Sequence, residues 1–256
     1  ELRTESDEDV KPYIHKTKVE NIKVELPEDF KKIKKYLEDS FNSKKIKLKN
    51  KGYALTQNTK KEILNLQFLL QNQITKGEKD YEIFQSISLV AELLKINHAI
   101  EMLETQGLES LNNYLSPLFE KASMQKSKAV KNMIMDPNMV AAYQKTKLSI
   151  DMKIKHPKKI KLLEIIKKEI SENPSIRIII FNQYRDSAKS IENELKEIED
   201  INAKLFVGQT KKNGTGLTQK KQIEIINDFK QNIYNCIIST SIGEEGLDIP
   251  NVDLVI

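Results

Sequence analysis

Apolar residues recur at helical spacing from about Phe30 to residue 150, and a strand–helix alternation replaces that rhythm near Asp151. Ahead of the first helix, Ile22, Val24 and Leu26 alternate with Lys23 and Glu25, a pattern that predicts a short strand. Pro27 ends it and opens a helix containing Phe30, Ile33 and Leu37. Ile63, Leu64, Leu66, Leu69 and Leu70 predict one apolar face of the next helix. The strongest segment runs from about Tyr81 to Gln106, with Phe84, Ile87, Val90, Leu94, Ala99, Ile100 and Leu103 at helical spacing. Gly107 stands where a left-handed C-cap is expected. A further helix carries Leu111, Tyr114, Leu115, Leu118 and Phe119, with a kink expected at Pro117.

Past Asp151, His156-Pro157 opens a helix with the stripe Ile160, Leu163, Ile166 and Ile170, and Asn173-Pro174 breaks it. Residues 177–181 read as a buried parallel strand, followed by a helix from about Asp186 carrying Ala188, Ile191, Leu195 and Ile198. Ala203–Val207 is the next strand. A Gly/Lys/Thr-rich loop runs from Gly208 to Leu217, and Thr218 caps a helix with the stripe Ile223, Ile226 and Phe229. Tyr234–Ile238 forms another strand, and a second apolar run begins at Val252. Such alternation with short connections predicts a parallel sheet covered by helices. The chain is thus all-α in the middle and α/β at its C-terminal end.

Composition narrows the class. Hydrophobic content of 39% over 256 residues suffices for a core, in about one or two domains. The single cysteine, Cys236, excludes a disulfide framework within the chain and reads as a small buried hydrophobe. No stretch approaches the roughly 20 apolar residues of a membrane helix, and the first residues do not resemble a secretory signal, so a cytoplasmic protein is expected. The net charge is +5. Lysines crowd residues 31–51, and Lys121, Lys126, Lys128 and Lys131 form a second cluster. Such clusters suit phosphate binding through counterion release. A solvated lysine-rich face accounts for the charge equally simply, and charge alone favours it.

Ligands of parallel sheets bind beyond the carboxyl ends of the strands. Three polar clusters stand at those ends here: Asn182-Gln183-Tyr184-Arg185, Gly208-Gln209-Thr210-Lys211-Lys212, and Ser239 to Asp248. All three are expected on one rim, where hydroxyls, amides and loop N–H groups suit a sugar-phosphate backbone.

The order of these clusters resembles motifs IV, IVa and V of the second RecA-like domain of superfamily 2 helicases. Within them it is similar to the archaeal Hef group, related to the Fanconi anaemia M translocase. The resemblance rests on Phe206-Val-Gly-Gln209, Gly216-Leu-Thr-Gln219 and Ser241-Ile-Gly-Glu-Glu-Gly-Leu-Asp-Ile-Pro250. Asn97 to Gly107 is similar to the group's helical insertion, and Asp7 to Tyr13 resembles the segment leaving a first RecA-like domain. The resemblance implies a fold: a P-loop NTPase-type RecA-like α/β domain, truncated, plus an all-α insertion domain. It implies residues 1–29 as connector, 30–150 as insertion and 151–256 as second RecA-like domain, ending before motif VI. The apolar run cut at Ile256 agrees with a piece of a larger motor.

The resemblance also assigns roles. It places Thr240 beside Ser239 on a nucleic-acid phosphate, Gly246 and Asp248 near the ATP ribose, and Asn182, Tyr184, Arg185, Gly208, Gln209 and Thr210 on the backbone. It implies forked or branched DNA as substrate, ATP with magnesium as cofactor, and an XPF-type nuclease module elsewhere in the polypeptide. Position 182 is Asn where relatives often carry Thr, and both donate to phosphate. The 256 residues contain no Walker A glycine–lysine loop, no acid box and no motif VI arginines. Phosphoryl transfer needs those groups, so these residues alone are expected neither to hydrolyse ATP nor to hold it.

Each position also has a plainer account. Asp248 can cap the Gly246 turn, Glu244 and Glu245 can be surface acids, and Arg185 can pair with Asp186. His98 on an apolar helix reads as a satisfied core residue, and neither His15 nor His156 has partners at metal-ligand spacing, so no metal is expected. Two other substrates stay open: duplex RNA, as in RIG-I and Dicer-type helicases, or nucleic acid held by a non-motor binding module.

Overall fold

The structure, a computed structural model, describes residues 18–77, 80–120, 127–209, 216–240 and 251–256. Six helices form its first part: α1 (Glu28–Lys49), α2 (Lys60–Thr75), α3 (Tyr81–Thr105), α4 (Leu108–Glu120), α5 (Lys128–Met135) and α6 (Pro137–Asp151). Their starts follow local chemistry. Thr59, Asp80 and Asp136 each accept a backbone N–H from the first turn of α2, α3 and α6. Glu62 returns the favour ahead of α2 by accepting the N–H groups of Thr56, Gln57 and Asn58.

Helix α3 is the axle of this bundle, packed by α1, α2, α4 and α5. It buries Ile83, Leu89, Val90, Leu93, Ile96, Ala99, Met102 and Leu103, so its apolar surface wraps more than one side. The expected stripe is therefore corrected: Phe84 is 48% exposed, while Ile83 and Leu93 are core. In α2, Ile63 and Leu70 face inward, whereas Leu64 and Leu69 are exposed and do not share their face. The strand expected over residues 22–26 is absent; that segment has no regular secondary structure, and only Leu26 packs on the helical core. A period of two describes an extended chain, and pairing requires a partner that sequence does not reveal. Gly107 ends α3 at φ +95°, as expected of a left-handed cap.

The second part is a parallel sheet in the order β2-β3-β1-β4. Its strands are β1 (Ile178–Phe181), β2 (Ala203–Phe206), β3 (Cys236–Ser239) and β4 (Leu254–Val255). Helices α7 (Pro157–Glu172), α8 (Arg185–Leu195) and α9 (Gln219–Lys230) cover both faces. Alternation along β1 divides the core: Ile178 and Ile180 pack with Ile166, Ile191 and Leu195, while Ile179 packs with Ile226 and Phe229. Again the expected stripes are corrected at one position each. Leu162 replaces the exposed Ile160, and Ile225 replaces the exposed Ile223. Arg177 ties the sheet to α9 by donating to the Phe229 and Lys230 carbonyls at the end of that helix, each at 3.0 Å. Cys236 is fully buried, and burial pushes its thiol up to about 12. No described helix is long and apolar enough to cross a membrane.

Candidate nucleic-acid interface

The strand order places the ends of β2, β3 and β1 side by side. Phe206 and Phe181 both stand in register with Ser239. The Asn182 N–H donates to the Ser239 carbonyl at 2.8 Å, and the Thr240 N–H donates to the Phe206 carbonyl at 3.3 Å. The described starts of the three polar segments, at Asn182, Gly208 and Thr240, thus meet at one rim, while residues 210–215 and 241–250 lie outside the described residues. Buried strands pinned by ladder hydrogen bonds set the loops above them.

Within this rim the side chains differ in reach. Asn182 accepts the Tyr184 N–H at 3.0 Å and donates to the Ser187 hydroxyl at 3.1 Å, which shapes the β1–α8 loop. Ser239 is fully buried and its hydroxyl donates to the Thr240 carbonyl at 3.0 Å. Thr240 is buried at the strand end, Gly208 is buried and Gln209 is exposed. The Gly208 carbonyl accepts the Leu217 N–H at 3.2 Å, which closes the loop between them. Arg185 is half-buried at the start of α8. Thr210, Gly246, Asp248, Lys121 and Lys126 lie outside the described residues.

Tyr184 faces elsewhere. Its hydroxyl donates to Glu101 Oε1 in the last turn of α3, at 2.9 Å. Glu101 Oε2 lies 3.6 Å from Lys60 and 3.7 Å from His98 Nδ1. Burial pushes the Glu101 carboxyl up, but the Tyr184 hydroxyl and the nearby Lys60 outweigh it and leave the group below its usual range. Burial, then the Glu101 acceptor, pushes the Tyr184 phenol up. His98, expected in the core, is 38% exposed and sits edge-on to Tyr114.

One turn further, His156 caps α7 by accepting the Lys158 N–H, and its Nε2 faces the Glu104 carbonyl at 3.3 Å. Its ring also meets Phe30 edge-on. Burial holds this imidazole below its usual range. Sequence reasoning passed over His156 and Glu101 because each partner lies more than 50 residues away.

The lysine clusters sort differently from the rim. Lys128 and Lys131 are exposed on α5, within the helical bundle, and Lys128 lies 5.5 Å from the Tyr81 ring centre. Lys44 is not a surface cation. It is buried between Asp136 at 2.7 Å and Glu92 at 3.7 Å. Lys31, Lys34 and Lys51 also pair with acids, at 3.0, 2.7 and 3.6 Å. Four of the nine lysines in the crowded stretch from residue 31 to 51 are therefore internally compensated. Asp136-Pro137 has the form of a helix cap, but nothing in the sequence ties it to Lys44.

Comparison with known proteins follows the same division. Residues 29–156 match the family model "Putative ATP-dependent RNA helicase, helical bundle", and residues 158–256 match the helicase conserved C-terminal domain. The crystal structure of the Pyrococcus furiosus Hef helicase domain is 35% identical, with a TM-score of 0.83 over 99% of this chain and 52% of that one. The chain belongs to the Hef-type superfamily 2 helicases. Among curated relatives of this family, "Putative ATP-dependent RNA helicase MJ1505" of Methanocaldococcus jannaschii is 37% identical over the whole chain. The "DEAD-box ATP-dependent RNA helicase FANCM" of Arabidopsis thaliana and the "ATP-dependent DNA helicase mph1" of Neurospora crassa are each 31% identical over the whole chain. The chain spans 31%, 19% and 23% of those three relatives. The Hef-type fold is a parallel RecA-like sheet joined to a helical bundle, as the sequence resemblance implied.

Proposed function

We propose that this chain is the helical insertion and second motor half of an ATP-dependent DNA helicase acting on forked or branched DNA. The observation that carries this reading is the rim, where the Asn182 N–H reaches the Ser239 carbonyl and the Thr240 N–H reaches the Phe206 carbonyl. Neighbouring loops held that way move together, which a motor needs when nucleotide-driven closure shifts its grip. In this reading Thr240, Asn182, Arg185, Gly208, Gln209 and Thr210 contact the sugar-phosphate backbone. Gly246 and Asp248 face the nucleotide ribose. The phosphates and magnesium are held by groups other than these 256 residues, which contain no glycine–lysine loop or acid box. A nuclease module in the same polypeptide and a cytoplasmic setting complete the proposal. Lys121, Lys126, Lys128 and Lys131 would meet a duplex arm.

The test uses the complete polypeptide. Asp248→Ala is expected to impair ATP-driven unwinding while nucleotide-free DNA binding stays nearly intact. Loss of DNA binding in a folded Asp248→Ala protein would overturn the assignment of that loop.

A further inference from the structure

The helical bundle and the strand-end rim are joined by a continuous line of hydrogen bonds. Glu101 accepts the Tyr184 hydroxyl at 2.9 Å. The Tyr184 N–H donates to Asn182 Oδ1 at 3.0 Å. The Asn182 N–H donates to the Ser239 carbonyl at 2.8 Å, and Ser239 in turn holds the Thr240 carbonyl. Every link is a specific donor–acceptor pair, and four of the five residues belong to the rim itself.

The anchor at the bundle end is itself held by contacts to other elements. Glu101 and Glu104 lie three residues apart, on one face of the last turn of α3, the helix around which the bundle packs. The Glu104 side chain pairs with Lys34 of α1 at 2.7 Å, and its carbonyl faces His156 at the start of α7. Tyr184 itself packs against the helical core. The same turn of α3 thus holds the α/β part at two points. The His156 point is a buried cap that any rearrangement would have to break along with α7. The Tyr184 point is a single hydrogen bond at a half-buried site, so it is the weaker and more readily opened of the two.

The geometry points to Tyr184 as a positioning residue: its hydroxyl on Glu101 is a latch that lets the helical bundle set the β1–α8 loop and, through Asn182, the end of β3 at Thr240. A bundle that is displaced when a duplex arm seats on it would release the latch and relax the rim. Its meaning for nucleic acid rests on the function proposed above, whereas the latch itself does not. The sequence resemblance gave Tyr184 a backbone contact; in this arrangement it acts through Asn182 instead.

The test is hydrogen exchange of the whole chain, read at the Asn182 and Thr240 amides, beside a spin-label distance between Lys49→Cys on α1 and Glu224→Cys on α9. Both label sites are exposed, and the native Cys236 is buried. Tyr184→Phe keeps the ring and removes only the hydroxyl. It is expected to speed exchange at both amides by roughly tenfold, the scale of losing one hydrogen bond to a charged acceptor at a partly exposed site. The distance distribution should broaden. Glu101→Gln keeps an acceptor and should lie near the parent, while Glu101→Leu should match Tyr184→Phe. The double variant Tyr184→Phe/Glu101→Leu should be no worse than either single one. Unchanged exchange at Asn182 and Thr240 in a folded Tyr184→Phe protein would overturn the latch, as would strictly additive effects in the double variant. If exchange responds as expected but no variant binds nucleic acid, the latch stands and the proposed function falls.

Discussion

Asp136→Ala should strongly destabilise the helical bundle. Asp136 accepts three hydrogen bonds: from Lys44 at 2.7 Å, from the Ser40 hydroxyl at 2.9 Å and from the Asn138 N–H at 2.9 Å. Its removal has two costs. The first is the cap of α6, typically about 1 kcal/mol. The second is a lysine left buried without its nearest partner; breaking a buried pair costs about 3–5 kcal/mol. Glu92 remains 3.7 Å from Lys44 and offsets part of this. The expected loss is therefore about 3–4 kcal/mol, against about 1–2 kcal/mol for Asp136→Asn, which keeps the cap and an acceptor for Ser40. Burial pushes the Asp136 carboxyl up, but Lys44 and Ser40 outweigh it and hold the group below its usual range. Its contribution is thus full above about pH 4 and is lost as pH falls through the lower folded value. Urea unfolding followed by far-ultraviolet circular dichroism at pH 7 and at pH 3 measures both effects. A loss under about 1 kcal/mol for Asp136→Ala at pH 7 would refute the reasoning, since cap and pair together cannot be that weak.

Gly107→Ala places a methyl group 3.2 Å from His156 Cδ2 at φ +95°, so a loss of about 1–2 kcal/mol is expected, read as a lower Tm in calorimetry. His156 is held neutral by burial, so its folded value lies below its unfolded one. The stability this supports is full above about pH 6.5 and declines as pH falls; His156→Asn, which keeps the α7 cap, should flatten that decline in a denaturation series from pH 7.5 to 5. Lys128→Ala and Lys131→Ala together should reduce the slope of log affinity against log salt for forked DNA by about 2. An unchanged slope would mean that these two lysines only solvate α5.

The sequence was most legible where local chemistry alone sets the outcome. Thr218 caps its helix, Gly107 takes positive φ, and isoleucine-rich runs become buried parallel strands, because each depends on near neighbours. The strand-end rim followed from topology, since a parallel sheet puts successive carboxyl ends together. What escaped was set by distant partners. The α3 stripe missed Ile83 and Leu93 because a helix packed by four others has no single face. Lys44 read as one lysine among many because Asp136 lies far along the chain. Tyr184 read as a rim residue, yet its hydroxyl is held by Glu101 across the junction. The segment over residues 22–26 had strand periodicity without a strand to pair with.

The most direct test of the account is a competition experiment on the complete polypeptide by fluorescence anisotropy. Labelled forked DNA is displaced by unlabelled fork, linear duplex DNA or duplex RNA, for the parent and for Thr240→Val. The account predicts that fork competes best and that Thr240→Val weakens fork binding several-fold, the scale of one neutral hydrogen bond of about 0.5–1.5 kcal/mol. Stronger competition by duplex RNA, or an unchanged fork affinity in Thr240→Val, would contradict a fork-directed grip at the β3 strand end.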